Sequence, residues 1–406
     1  MDKNIKTIFQ ERELSALYGK PRVILKWATG CGKSKATINL VNHASKGMPV
    51  HPVKALFVVA ERAHKKNWED EFRKWKLMRG IDVKMICYAS LHKEEHSVYD
   101  ILVLDEAHHA FTEKRLNILK TISSAYVYLL SATLSSAKTD EMENTFGKFT
   151  TSTVTLKDAI NQDLLPNPKV YVIGMELDDK NVNQTIQIGK DPNAKVIPWE
   201  DRAKYIYRGA PCIIKCTEKQ KYLYLTDSME YWKHRYELSR NPFHHNKWVN
   251  LGSQRKRYLG ELKTEAVRKL LNTFPRRKRY VCFCASINQA NSLSKANTVS
   301  SKKGSSKNQD IIDAFNAKKT HSLYAVGMIT EGMNLKDIEV GVIVQLDGKE
   351  RLFIQKAGRV LRAEMPVMYI FYYKNTQDEN YLNGAFDNID SKFVKYCDQF
   401  EFNSQL

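Results

Sequence analysis

The sequence predicts an α/β protein built from two tandem lobes, each containing a parallel β-sheet. Short apolar, β-branched segments alternate with helical patterns in both halves of the chain, which is typical of βαβ units. A polar, aromatic-rich stretch at about 180–262 separates the two series and is predicted to be mostly helical. The expected domains are therefore an N-terminal lobe at 1–152 and a C-terminal lobe at 153–406 that contains this insertion.

Five apolar segments of the first lobe have the length and composition of buried strands. A helical pattern follows each of the first four, so we expect them to pair in parallel through helical crossovers. The segments are RVILK (22–26), ALFVVA (55–60), VKMICY (83–88), ILVLD (101–105) and AYVYLLSA (125–132).

A second series of apolar segments predicts the sheet of the second lobe. One strand within 155–177 is expected to open this lobe, and the insertion follows it, with its clearest helix at 218–240. The remaining predicted strands are RYVCFCA (279–285), SLYAVGM (322–328), VGVIVQL (340–346) and VMYIFYY (367–373).

The composition is that of a globular protein with a basic surface. Apolar residues make up 43% of the chain and charged residues 27%, which excludes general disorder. The net charge of +19 favours a polyanionic partner such as nucleic acid. No apolar run approaches the roughly 18 residues of a membrane span, so no membrane partner is expected. Seven scattered cysteines fit reduced thiols in a cytoplasm, the host cytoplasm if the protein is viral.

The segment LKWATGCGKSKA contains most of a phosphate-binding loop between a predicted strand and a predicted helix. Gly30 and Gly32 stand where the backbone must pass close to phosphate, and Ser34 opens a helix whose N-terminus favours an anion. Trp27 occupies the first glycine position of the G-x-x-x-x-G-K-[ST] pattern. We expect its ring to pack in the core rather than border a nucleotide, and Cys31 to be sensitive to oxidation.

The segment YDILVLDEAHHA carries a predicted strand directly into Asp105 and Glu106. A carboxylate at the C-terminal end of a strand reaches the crevice where ligands bind in open α/β sheets. Asp105 would hold Mg²⁺ there, directly or through water, and Glu106 would polarise an attacking water. The next predicted strand ends at Ser131 and Thr133.

The segment FIQKAGRVLR of the second lobe places Gln355, Gly358, Arg359 and Arg362 on one face of a predicted helix. Two arginines on that face could reach across a cleft to a γ-phosphate held by the first lobe. There they would neutralise charge in the transition state. Upstream, the segment GMITEGMNLKD leaves a predicted strand through a glycine-containing turn.

The ordered set G-x-G-K-S, D-E-A-H, S-A-T, T-E-G-x-N-L and Q-x-x-G-R-x-x-R resembles that of superfamily 2 helicases of the DEAH type. The added His109 and Ala110 resemble the branch with restriction-enzyme motor subunits, excision-repair helicases and many bacteriophage helicases. The resemblance covers most of residues 1–160 and 270–375 and is faint over 180–260.

The resemblance implies two RecA-like lobes that clamp ATP between them and hold nucleic acid across the opposite face. Lys33 would contact the β- and γ-phosphates, Ser34 and Asp105 would hold Mg²⁺, and Glu106 would activate water. The other residues assigned to ATP by the resemblance are the loop and a glutamine that would read adenine: Gln10, Thr29, Gly30, Cys31 and Gly32.

The second lobe would contribute Arg359 and Arg362 as arginine fingers, with Gln355 positioning the water or the γ-phosphate. Gly332 is assigned to ATP binding. Residues that would couple nucleotide state to the nucleic-acid face are His108, Ser131, Thr133, Thr330 and Glu331.

Two regions are candidates for contact with nucleic acid. Arg62 and Ser90 follow predicted strands of the first lobe, where the resemblance puts the phosphate backbone. The stretch 251–280 holds ten Lys or Arg against two acids, and its triplet Arg255, Lys256 and Arg257 is the basic cluster assigned to phosphate. A solvated surface is the equal alternative for this stretch. The aromatic side chains between 222 and 236 are expected to pack against the protein, with base stacking as the alternative.

Taken together, these features predict an ATP-driven, Mg²⁺-dependent motor on nucleic acid, with a DNA helicase as the leading hypothesis. Translocation on duplex DNA without unwinding and RNA helicase activity stay open. A non-catalytic nucleic-acid-binding protein is the alternative from another class, and it has no need of the full catalytic set. A Lys-, Asn- and Ile-rich composition suggests a bacteriophage or mobile-element origin.

Overall fold

The computed structural model shows two α/β lobes with an inserted region between them. None of the described helices is long and apolar enough to cross a membrane. The structure describes residues 3–49, 52–191, 193–327, 335–348, 353, 356–358, 360, 363–387 and 389–398.

The first lobe contains a six-stranded parallel sheet. The strand order is β3-β2-β4-β5-β1-β6, so the strands that end in the two main motifs, β1 and β4, are separated only by β5. Each crossover between parallel strands places a helix or a short connection on one face of the sheet. The strands are β1 (Arg22–Trp27), β2 (Val53–Val59), β3 (Ile81–Cys87), β4 (Val98–Leu104), β5 (Ser123–Leu130) and β6 (Thr150–Val154).

Six helices surround this sheet. Their apolar side chains and those of the strands form buried clusters on both sheet faces. The helices are α1 (Lys3–Leu17), α2 (Lys33–Lys46), α3 (Arg62–Trp75), α4 (Glu113–Thr121), α5 (Ser136–Phe146) and α6 (Leu156–Asn161).

The second lobe contains a seven-stranded parallel sheet. Its order is β12-β13-β11-β14-β15-β7-β16, so β7, the first strand of this lobe in the chain, lies between two late strands. The strands are β7 (Lys169–Met175), β11 (Tyr280–Phe283), β12 (Thr298–Ser300), β13 (Ser322–Val326), β14 (Val340–Ile343), β15 (Val367–Tyr373) and β16 (Val394–Asp398).

The inserted region consists of a small sheet and a long helical hairpin. The small sheet has the order β8-β10-β9 and its own buried apolar cluster. The hairpin is formed by two antiparallel helices of about 30 Å each. The elements are β8 (Gln184–Ile188), β9 (Lys195–Pro198), α7 (Arg202–Arg208), β10 (Cys212–Cys216), α8 (Glu218–Ser239) and α9 (Pro242–Leu262).

A buried ion pair fixes the base of the hairpin to the second lobe. Lys263, directly after α9, donates 2.6 Å to Asp378 and 2.9 Å to Gln345, and the side chains of Lys263 and Asp378 are at most 1% exposed. Burial lowers the pKa of Lys263, and the neighbouring Asp378 carboxylate opposes that shift. The helices of the lobe with both ends among the described residues also include α10 (Thr264–Thr273), α11 (Ile287–Ser294), α12 (Ser305–Asn316) and α13 (Gln377–Phe386).

The predicted fold class is confirmed, with changes at its edges. The boundary expected at 152/153 falls inside β6, which pairs with β1 in the first sheet, so the first lobe extends at least to Val154. The insertion is mostly helical as predicted, but its three short strands were not expected. Strands β6, β12 and β16 were also missed, because each is only three to five residues long and only weakly apolar.

Candidate active site

The phosphate-binding loop connects the buried end of β1 to the start of α2. Gly30 and Gly32 have φ angles of 97° and 89°, a left-handed conformation that favours glycine. Gly32 is the N-cap of α2, so the first free backbone N–H groups of the helix open toward the loop. The loop at Thr29, Gly30, Cys31 and Gly32 therefore has a backbone suited to an anion, and its binding of phosphate stays a prediction.

Gln10 of α1 lies directly against this loop. Its Nε2 donates 3.0 Å to the carbonyl oxygen of Cys31, and the side chain is buried. A Cβ atom on Gly32 would collide with the same Nε2. Gln10 is therefore positioned by the loop backbone, and its reading of adenine stays a prediction.

Trp27 packs beneath the loop, as predicted. The ring is fully buried, lies 5.1 Å from the ring of Phe9 and donates from Nε1 to Ser152 at 2.8 Å. The carbonyl oxygen of Trp27 accepts a 2.8 Å hydrogen bond from Nζ of Lys33. The indole supports the loop from the core side, which leaves the backbone free to face phosphate.

Cys31 does not have the reactivity expected from its place in the loop. The thiol is buried, and burial raises its pKa to about 11 against the opposing charges of Lys33 and Lys6. Because the thiolate is the reactive form, the expectation of oxidation sensitivity is wrong for this conformation.

Asp105 follows β4 and is held by two side chains of α3. Oδ2 accepts a 2.8 Å hydrogen bond from the indole of Trp68 and lies 3.6 Å from Nδ1 of His64. Burial raises the pKa of Asp105, but His64, Trp68 and the charge of Lys33 outweigh it, so the pKa lies below its usual value. The carboxylate is therefore held charged on the same side of the sheet as Lys33.

The sequence pattern did not predict a role for His64 or Trp68. From the same segment, only Arg62 was predicted to be functional, as a contact with nucleic acid. The signal was present, since the two residues are spaced i, i+4 on the helix that follows β2. Both are buried, whereas Arg62 is exposed at the first position of α3. Two buried polar rings on one helix face indicate a partner, and here that partner is Asp105.

Glu106 lies in a turn with a left-handed backbone. Its φ of 48° is left-handed, which is uncommon for a residue with a side chain. Its buried Oε2 accepts no hydrogen bond from the part of the chain that the structure describes and lies 3.4 Å from Nδ1 of His108. An acceptor in this state is suited to receive a hydrogen bond from a bound water.

Ser131 and Thr133 lie at the end of β5, between the two motif strands. Ser131 is buried, and its hydroxyl oxygen accepts a 3.2 Å hydrogen bond from the backbone of Thr133. The hydroxyl of Thr133 is buried and has no hydrogen-bond partner among the described residues. The structure brings both beside the candidate site, and their coupling role stays a prediction.

The second lobe touches the phosphate-binding loop at Gly358. A Cβ atom on Gly358 would lie 2.6 Å from Cβ of Thr29, so the glycine permits a backbone-close contact between the lobes. The described residues around Gly358 are helical, as predicted. The other second-lobe assignments lie outside the described residues: Gln355, Arg359, Arg362, Thr330, Glu331 and Gly332.

The residues assigned to nucleic acid fall into two groups. Arg62, Ser90 and Arg257 are exposed or half-buried and stay predictions. Arg255 is 6% exposed and donates to Thr226 and Gln377, so the structure gives it a packing role at the base of the hairpin. Lys256 is paired with Asp347, a carboxylate that it shares with Lys356.

The basic stretch 251–280 is therefore less free than its composition indicates. Lys263 is buried in the ion pair with Asp378, and Arg279 is buried with its guanidinium on backbone carbonyls of Asp337 and Lys336. Positive charges in the sequence measure the surface available to phosphate only where the side chains reach solvent.

Two family models match the chain. The type III restriction enzyme, res subunit, matches residues 2–136, which contain the loop, Asp105 and Glu106. The helicase conserved C-terminal domain matches residues 262–364, which contain Gly358 and the segments around it. No curated protein matches the chain.

Several solved structures share the two-lobe fold of tandem RecA-like domains. Saccharomyces cerevisiae Dbp5 bound to RNA and ADP BeF3 is 13% identical with a TM-score of 0.60, covering 98% of this chain and 90% of that one. The Pyrococcus furiosus Hef helicase domain is 14% identical, with a TM-score of 0.52 and coverage of 93% and 97%. A putative HsdR subunit of a type I restriction enzyme from Vibrio vulnificus YJ016 is 14% identical, with a TM-score of 0.56 and coverage of 97% and 68%.

Proposed function

Since this chain belongs to superfamily 2 of the helicases, we propose that it is an ATP-dependent helicase or translocase that acts on DNA. The observation that carries the proposal is the meeting of three elements at one edge of the first sheet. These are the glycine cradle before Lys33, the paired carboxyls after β4, and Gly358 of the second lobe against Thr29. A nucleotide between the lobes would contact all three.

The first step is the binding of the ATP phosphates by the loop and by Lys33. The loop supplies backbone N–H groups at a helix N-terminus, and glycine at positions 30 and 32 permits the left-handed backbone that shapes it. Lys33 donates to the carbonyl of Trp27, at the entrance of the same loop. Its ammonium would exchange this carbonyl for phosphate oxygens, a charge-assisted and therefore stronger interaction.

The residues present fit a magnesium ion. Asp105 is held charged, and Ser34 at the start of α2 offers a hydroxyl, which together are the hard oxygen donors that this ion prefers. Bound Mg²⁺ would neutralise phosphate charge. Trp68 and His64 would hold the Asp105 carboxylate in its orientation.

Glu106 is placed to orient the attacking water. Its buried Oε2 accepts no hydrogen bond from the described residues and lies 3.4 Å from Nδ1 of His108, so a bound water would donate to this oxygen. Arg359 and Arg362, in the segment of Gly358, are proposed as the cations that stabilise the transferred phosphoryl group, with Gln355 beside them.

Hydrolysis would drive movement by changing the affinity between the lobes. ATP contacts both lobes and favours their closed arrangement, and loss of the γ-phosphate removes that differential affinity. His108, Ser131 and Thr133 would transmit the change within the first lobe, and Thr330, Glu331 and Gly332 within the second.

DNA is the proposed substrate because the restriction-enzyme family model covers the first lobe and a restriction subunit is among the structural neighbours. RNA is the second candidate, since the Dbp5 neighbour is bound to RNA. Exposed Arg62 and Arg257 and half-buried Ser90 are proposed to contact the phosphate backbone.

The decisive experiment measures phosphate release with no nucleic acid, single-stranded DNA, duplex DNA and RNA. Stimulation by DNA that is lost in Lys33→Ala supports the proposal. Lys35→Ala is the matched control, because Lys35 lies on the same helix but contacts the ring of Trp75. Absence of stimulation by any nucleic acid, or stimulated turnover that survives Lys33→Ala, contradicts it. Unwinding of a forked duplex beside displacement of a triplex strand would separate a helicase from a duplex translocase.

A further inference from the structure

The helical hairpin of α8 and α9 projects from the second lobe. Its base is buried, with Tyr222, Leu225, Arg255 and Leu259 packed on the lobe. Between 228 and 254, all of which the structure describes, no side chain is buried. The hairpin beyond its base is therefore a surface element whose two helices pack along each other.

This distal half is unusually rich in aromatic rings. Residues 231–250 contain five aromatic side chains and three histidines. Trp232 lies 5.8 Å from Phe243 edge to face, and Tyr236 lies 6.0 Å from Trp248 with nearly parallel rings. These contacts pre-order the rings, yet Phe243 remains 55% exposed and Tyr231 remains 56% exposed. Rings that are ordered but half-exposed offer faces to a ligand.

A cleft runs between the two helices in this half. Its volume is about 370 Å³, and its lining includes Trp232 and Phe243 together with Asn246, Lys247 and Asn250. The aromatic walls suit a planar ring, and the two amides offer both donors and acceptors. This combination fits a nucleobase better than an aliphatic side chain.

The outer part of the hairpin carries a positive charge. Residues 231–250 hold four Lys or Arg, namely Lys233, Arg235, Arg240 and Lys247, against the single acid Glu237, while Asp227 and Glu230 lie nearer the base. Lys247 lies over the ring of Phe243 and Arg240 over the ring of Tyr236, so each of these rings has a cation beside it. Grooves of this composition bind single strands, because the cations follow the phosphates while bases stack on the rings.

We propose that the distal half of the α8–α9 hairpin is a base-stacking site for single-stranded nucleic acid. Trp232 and Phe243 stack with bases, Asn246 and Asn250 contact their edges, and Lys247 with the neighbouring arginines contacts phosphate. Single strands rather than duplex are the ligand, since the faces of paired bases are covered by their neighbours. The inference rests on the proposed function, which supplies nucleic acid as the ligand. It adds a second contact with that nucleic acid, separate from the nucleotide site.

The test compares wild type with the double variant Trp232→Ala, Phe243→Ala. Affinity is measured by fluorescence anisotropy on a labelled single strand and on a strand of the same length with abasic sites. Wild type should bind the intact strand about tenfold or more tightly than the abasic one, because each stacked base contributes measurably. The variant should bind both strands with the lower affinity. Tyr396→Ala removes a 58% exposed ring from β16 and should behave as wild type.

Folding is monitored by ATPase activity without nucleic acid and by circular dichroism. Phe243→Leu, which keeps apolar packing but removes the ring, is the second variant if the double one unfolds. Its loss of discrimination between intact and abasic strands supports the inference.

Each other outcome has a separate meaning. Wild type that binds no nucleic acid contradicts the proposed function itself. If wild type binds DNA and the double variant prefers the intact strand over the abasic strand as strongly as wild type does, the inference is overturned. The proposed function is not affected by that result. Equal loss of duplex affinity overturns the single-strand preference. Self-association of wild type that the variant loses, with unchanged strand affinity, assigns the surface to protein contact and also overturns the inference.

Discussion

The nucleotide site and the α8–α9 hairpin are positioned in opposite ways. Asp105 and Glu106 follow a strand whose neighbours on both sides fix its register, and Gly30 and Gly32 follow another strand of the same sheet. The rings of the hairpin lie on two projecting helices and contact one another across them. Chemistry that must be held to a fraction of an ångström lies on the sheet, while a site that tolerates any base lies on the projection.

The largest expected effect is on ATP turnover, and it comes from a change in the nucleotide site. Glu106→Gln should lower ATP turnover by about 10²–10⁴-fold, because the amide cannot polarise water as the carboxylate does. ATP binding and thermal stability should stay close to wild type. Glu113→Gln, at the exposed start of α4, is the matched control. A Glu106→Gln enzyme with wild-type turnover would move the reaction away from the end of β4.

Removing the ion pair at the base of the hairpin should have the next largest effect, on stability. Asp378→Ala leaves the Lys263 ammonium in a fully buried position without its partner, which costs about 3–5 kcal/mol of unfolding free energy. Urea denaturation followed by circular dichroism measures this loss of unfolding free energy. Glu237→Ala removes the exposed 3.8 Å pair with Lys233 on the distal half and should leave the urea midpoint unchanged. Equal effects would show that the distal half is as tightly bound as the base.

Cysteine labelling compares the two regions by exposure. At pH 8, Cys31 should react with iodoacetamide about a hundredfold more slowly in the native protein than in urea, because its pKa rises from 9.0 to about 11. A cysteine introduced on the hairpin by Asn246→Cys should react at the rate of a free thiol. Peptide mass spectrometry separates the sites. Rapid native labelling of Cys31 would mean that the loop opens readily.

A smaller effect is expected from the indole that holds Asp105. Trp68→Phe keeps the ring packing but removes the 2.8 Å hydrogen bond, so the Mg²⁺ concentration for half-maximal ATPase should rise about tenfold. Trp75→Phe makes the same change on the same helix, where the indole bonds Glu71 instead. Identical Mg²⁺ dependence in the two variants would assign Trp68 to packing alone.

The first lobe could be predicted in detail because its motifs occupy strand ends. An apolar run that stops at Asp105 gives both the strand and the direction of the carboxylate, and the same holds for the loop after Trp27. The buried state of Trp27 was also predictable, since a strand end that precedes the cradle faces the core. Cys31 was misjudged because its thiol is buried in the folded loop, against which Gln10 packs from a helix distant in sequence.

The holders of Asp105 and the hairpin surface could not be predicted, for a different reason. His64 and Trp68 lie on a helix whose rotation about its axis decides whether they reach β4 or solvent. Arg255 and Lys256 belong to the same basic run. Arg255 is buried in the base of the hairpin, where it donates to Gln377, whereas Lys256 pairs with Asp347. Charge and aromatic content are visible in the sequence, whereas the direction of a helix face depends on tertiary packing.

The connection of Lys256 to Asp347 and of Asp347 to Lys356 has a mechanical consequence. Lys356 lies two residues before Gly358, so the root of the hairpin is tied to the segment that touches the phosphate-binding loop. The tip lies about 20 Å beyond the last buried residue of α8, so any rotation at the root would produce its largest displacement at the tip. A swing of about ten degrees at the root would carry the tip about 3.5 Å, close to the roughly 3.4 Å between successive bases of one DNA strand.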